Sequence, residues 1–123
     1  MVYERELVKQ LEIVSGRIVF TMEHSLYLIE NQSRKATIIS ELKQVLDFYK
    51  ELDSYIPRTG DNSEIGNVKA RLTRARRGIE EVISIVELGY YSRAQDVLAN
   101  HLLPASKRFL EHLPMAFSLE PNA

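Results

Sequence analysis

The sequence predicts an all-α fold, an antiparallel up-down-up-down four-helix bundle, and three observations carry that prediction. Two unbroken heptad seams flank one loop: Ile38, Leu42, Val45, Tyr49, Leu52 and Ile56 before it, and Ile65, Val68, Leu72, Ala75, Ile79, Val82 and Val86 after it. Steps alternating between three and four place each set on one stripe of a helix, and two stripes joined by a loop must bury each other. Four amphipathic segments of similar length, each about 33–42 Å long at ~1.5 Å per residue, are separated by short breaks. No segment carries the alternating period of a strand.

The first helix spans about Tyr3 to Glu30, with Leu7, Leu11, Val14, Ile18, Met22 and Ile29 on its inner face. Asn31, Gln32 and Ser33 interrupt it, and Ser33 is expected to cap the second helix, Arg34 to Ile56. That helix stops before Pro57, because the residue preceding a proline is disfavoured in the α region. In the following loop, Asp61-x-x-Glu64 forms a capping box that opens the third helix. The third helix runs to about Leu88, and Gly89 ends it in the left-handed conformation. Ser92-x-x-Gln95 is a second capping box, opening a fourth helix that reaches Leu113 before Pro114. The bundle is thus assigned to residues 1–114 and a flexible tail to residues 115–123. With both seams at a and d positions, antiparallel pairing sets Asp53 against Lys69 near the loop and Ile39 against Ile83 at the far end.

Composition narrows the function. The 123 residues make one domain, 45% hydrophobic and 27% charged, with a formal net charge of −1. That balance argues against a protein whose main task is to grip a polyanion, although charge can be local. With no cysteine, disulfides, thiolate catalysis and Cys-ligated zinc drop out, which suits a cytoplasmic location. The opening MVYERELVKQLE is acidic and amphipathic, unlike a signal peptide, and no uncharged run is long enough for a membrane span.

The turn Gly89-Tyr90-Tyr91-Ser92-Arg93-Ala94, with Leu98 four residues on, resembles the inter-helix turn of a tetratricopeptide repeat. The likeness covers about a dozen residues. The preceding helix has Gly78, Glu81, Val82 and Ile85 where that family places its signature, and there is no second copy. The turn is therefore a shared way of joining helices, and no function is carried over.

No reaction is encoded by a recognisable motif. A di-metal bundle needs Glu-x-x-His, which does not occur, and His24, His101 and His112 lack the spacing to share a metal. His24 lacks the Lys or Gly surround of a phosphoacceptor. Arg17 and His24 have the spacing of the Arg-x(4–6)-His element of helical HEPN ribonucleases, but the residues after the arginine are apolar, unlike that family. No catalytic residue, cofactor or metal site is assigned.

Two candidate binding features remain. Lys69, Arg71, Arg74, Arg76 and Arg77 put five cations in nine residues. They suit an acidic protein partner or a phosphate backbone, with Arg76–Glu80 and Arg77–Glu81 as neutralising i,i+4 pairs. No aromatics are interleaved for base stacking, so nucleic acid is the less favoured partner. The second feature is a belt of small and polar residues expected at mid-bundle: Thr21, Ser25, Ala75, Asn100, His101 and Ala105. With Pro104 freeing the Asn100 carbonyl, the belt suggests an internal pocket anchored by His101 and Asn100. Tyr27, Tyr49, Tyr55, Tyr90, Tyr91 and Phe48 exceed what one seam can bury, and spare aromatics of this kind mark partner surfaces. The sequence thus favours a non-catalytic interaction or adaptor protein whose partner is another protein, a second copy included. The alternative is a small-ligand or nucleic-acid binding module.

Overall fold

The computed structural model describes residues 5–56 and 63–118, all-helical apart from short connections. The elements are α1 (Arg5–Glu30), α2 (Lys35–Tyr55), α3 (Ser63–Glu87) and a fourth rod in three pieces. That rod consists of α4 (Tyr91–Val97), a π-helical turn (Leu98–Leu102) and α5 (Leu103–Ser118). Asp61, and with it the capping box, the side chain of Ile65 and residues 119–123 lie outside what is described.

The packing is that of a helical bundle. α1 packs chiefly on α2 and α5, and α2 on α3, while α3 meets the fourth rod mainly at α4. One core runs through it, and the first seam is wholly buried, from Ile38 to Ile56. In the second seam Val68, Leu72, Ile79, Val82 and Val86 are buried, while Ala75 is only partly so. Lys69 Nζ donates to Asp53 Oδ1 at 2.7 Å, the pairing the heptads require. At the other end Lys35 Nζ donates to the Glu87 carbonyl at 3.0 Å. One contact joins the end of α2 to the start of α3 and the other the start of α2 to the end of α3, where the cation also suits the negative end of the α3 dipole.

The helix ends depart from the sequence reading. Ser33 does not cap α2; Arg34 occupies the N-cap without a side-chain bond. The Ser33 N–H instead serves α1, donating to the Leu28 carbonyl at 3.0 Å, while Gln32 N–H donates to Ile29 at 3.0 Å. This is a Schellman closure around Gln32, whose φ is 52°, a conformation usually left to glycine. The same closure recurs at Gly89 (φ 85°), with Gly89 N–H on Val86 and Tyr90 N–H on Ile85. It consumes the turn so quickly that Tyr90 becomes the N-cap of α4. Ser92 therefore lies inside the first turn and caps nothing.

The fourth rod also continues past Pro114 to Ser118, so the first part of the expected tail is helical. Proline is disfavoured in a helix interior because it lacks an N–H and crowds the carbonyl four residues back. At Pro104 the chain answers with the π turn. Leu103 N–H reaches back five residues to the Leu98 carbonyl, which lets the backbone pass the proline ring.

Candidate functional site

The π turn decides which side chains line the gap between α3 and the fourth rod. One extra residue rotates everything downstream by about 100° relative to a continuous α-helix. Leu98, Leu103, Ser106, Phe109, Leu110 and Leu113 are consequently buried, whereas Asn100, His101 and Ala105 are exposed. The internal pocket expected from the belt is not formed by its six residues. Thr21 and Ser25 are buried on α1, with Ser25 Oγ donating to the Thr21 carbonyl at 2.8 Å. Asn100 Nδ2 donates to Asp96 Oδ1 at 2.7 Å on the surface.

Two belt residues do meet. Ala75 and Ala105 lie in an open groove of about 290 Å³ between α3 and the fourth rod, with Arg71, Arg74, Leu102, Ser106 and Phe109. Part of the basic row thus joins part of the belt. The Arg71 guanidinium sits over the Phe109 ring, 4.6 Å from its centre, a cation–π contact that steadies the arginine while leaving its N–H edge free to donate. Ser106 is 2.9 Å from the Tyr49 hydroxyl, so the groove wall is tied into the core. Burial pushes the Tyr49 phenol above its ordinary value, and the hydrogen bond to Ser106 opposes this in part.

The rest of the basic row points elsewhere. Lys69 is committed to Asp53 on α2; Arg76 is half-buried and Arg77 exposed on other faces. Neither Arg76–Glu80 nor Arg77–Glu81 forms a bridge among the described residues. Residues at 69, 71, 74, 76 and 77 spread around the helix at about 100° per residue, so the five cations do not form one stripe. Arg71 and Arg74 have no carboxylate partner among the described residues.

Of the aromatics, Tyr49 is fully buried, Tyr55, Tyr91 and Phe48 are partly buried, and Tyr27 and Tyr90 are exposed. Leu102, Ser106 and Phe109 escaped the sequence reading because a continuous helix places them at another phase. Their signal was available: Leu98 to Leu103 is a step of five immediately before a proline. Among the described residues no three His, Asp or Glu side chains are grouped to hold a metal ion, and no helix is long and apolar enough to cross a membrane. Comparison with known proteins returns no family model, no curated protein and no solved structure that matches the chain.

Proposed function

We propose that this chain is a non-catalytic interaction module whose α3–α5 groove takes an acidic, amphipathic segment of a partner protein. The observation that carries the reading is the pairing of two cations without a carboxylate partner among the described residues, Arg71 and Arg74, with an apolar floor of small side chains, Ala75 and Ala105. A partner carboxylate would pair with the guanidinium edges, and a neighbouring apolar side chain would cover the alanines. The spread of the basic row over several faces favours this over a phosphate backbone, which needs cations in line. The same proposal includes the cytoplasmic setting suggested by the cysteine-free composition.

The test is an NMR titration of the labelled protein with a helical peptide carrying two glutamates one turn apart beside a leucine. Shifts are expected at Ala75, Ala105, Ser106 and Phe109. The Glu→Gln peptide, R71E/R74E and A105L should each weaken binding at least about tenfold, ~1.4 kcal/mol. A105L keeps the charge and fills the floor, so unchanged affinity in that variant would sink the groove as the site. A preference for single-stranded RNA over the peptide would replace the partner class.

A further inference from the structure

The outer face of α1 carries apolar side chains that no described residue of the bundle covers. Ile13 is 40% exposed, Phe20 70% and Tyr27 58%. They stand seven residues apart, which puts them on one line along the helix. Phe20, His24 and Tyr27 are already stacked, with ring centres 6.5 and 6.3 Å apart and planes within 11° of parallel. His24 is further held by Glu41 of α2. An aromatic ladder ordered in the free protein loses little side-chain freedom when it is covered.

Beside the ladder lies Gly16. A mid-helix glycine costs about 1 kcal/mol against alanine, so its presence calls for a reason in packing. The bundle supplies none, since a Cβ built at Gly16 meets nothing within 4 Å. The missing side chain instead opens a shallow recess of about 300 Å³ toward α5, lined by Ser15, Gly16, Val19, Lys107, Leu110 and Glu111.

Charge along the same face chooses the occupant. Beside Phe20, Arg17 lies on its N-terminal side and Glu23 on its C-terminal side, whereas nearer the start of α1 Arg5 and Lys9 alternate with Glu6 and Glu12. An antiparallel copy related by a two-fold axis beside Phe20 brings Arg17 opposite Glu23, Ile13 opposite Tyr27 and Lys9 close to Glu30. In that register the hole facing each Phe20 is formed by Gly16, Val19, Phe20 and Glu23, the spacing of knobs-into-holes packing. A parallel copy would set like charges side by side.

We propose that the outer face of α1 is a self-association surface, on which a second copy of this chain packs antiparallel with each Phe20 seated beside Gly16 of the other copy. The surface is distinct from the α3–α5 groove, and the inference does not depend on that reading. Glu23, bound at 3.1 Å to the exposed Lys107, would be shared with Arg17 of the second copy. Exposed pairs of this kind fix register more than affinity.

Light scattering on the full chain at about 100 µM tests this, a concentration suited to a micromolar interface of modest area. The expected mass is twice 14.2 kDa. At Gly16 a Cβ meets nothing within 4 Å, and a leucine there packs into the recess against the α5 wall while improving helix propensity, so G16L should give a monomer that melts no lower than the parent. F20D should also give a folded monomer. R17E should weaken the dimer, and R17E/E23R should restore it. A monomeric parent protein overturns the proposal. So does a dimer that survives both G16L and F20D, or binding of α1 to phosphatidylserine vesicles without any dimer.

Discussion

Tyr49 occupies a seam position that elsewhere holds aliphatic residues, and its hydroxyl must therefore be satisfied inside the core. Ser106 on α5 does this at 2.9 Å. Removing one partner of a buried pair costs more than the bond contributes, because the survivor remains desolvated and unmatched. S106A should destabilise the protein by about 1–3 kcal/mol, and Y49F by about 1 kcal/mol, since the groove gives the Ser106 hydroxyl a route to water. The double variant should cost less than the sum in urea unfolding, and strict additivity would show that the two do not act as a pair. The raised Tyr49 pKa adds a pH signature. Below the ordinary value of 10.0 the phenol is neutral in both states and its contribution is intact. Above it the unfolded chain ionises first, so stability falls until the folded phenol ionises as well. Y49F should lose less stability than the parent between neutral pH and pH values above 10.0.

At the scale of elements, the two seams were legible because they are continuous. Every described member of the first is buried, and the Asp53–Lys69 contact gives their register directly. The helix ends were less legible. Gln32 accepts a left-handed backbone that sequence reading reserves for glycine, and Ser33 and Ser92 look like caps only where the preceding closure leaves room. The fourth rod shows the same failure on a larger scale. A single phase extended across Pro104 turns His101 and Ala105 inward, whereas the π turn delivers Leu103, Ser106 and Leu110 to the core. The candidate site was thus half visible: Arg71, Arg74, Ala75 and Ala105 were in view, but not the wall that completes it. The insertion can be tested by removing it. Deleting Asn100 together with P104A turns the step of five into a step of four and keeps Leu103, Ser106 and Leu110 in phase. This variant should remain helical and melt cooperatively, losing no more than about 2 kcal/mol by the scale of ordinary point changes. Deleting Asp47 from α2 throws half a seam out of phase and should unfold the bundle. Equal damage from the two deletions would show that the π turn is not a tolerated insertion.

Across the whole molecule, α1 and α3 share no close backbone contact among the described residues, each meeting the other only through α2 and the fourth rod. The self-association face on α1 and the groove on α3 therefore share only the fourth rod. That rod gives different side chains to each, Lys107, Leu110 and Glu111 to the one and Ala105, Ser106 and Phe109 to the other, and they should respond independently to mutation. The groove itself comes from the way α3 leaves the fourth rod. At Gly78 the two approach so closely that a Cβ there would stand 2.5 Å from Leu102 Cδ2. Nearer the loop, Arg71 and Phe109 bridge an open gap. Gly78 is thus the closed end of the wedge, which explains a glycine in a helix interior. G78L is the informative change because leucine is a good helix former, so any penalty belongs to packing. It should cost about 1–3 kcal/mol through overpacking, measured by urea unfolding. It should also drive Leu102 into the groove, shift the amide resonances of Ala105 and Phe109, and weaken the acidic peptide, while leaving the mass in solution unchanged. Stable resonances at Phe109 would mean that Gly78 does not set the width of the groove. A changed mass would mean that the two faces are coupled through the core.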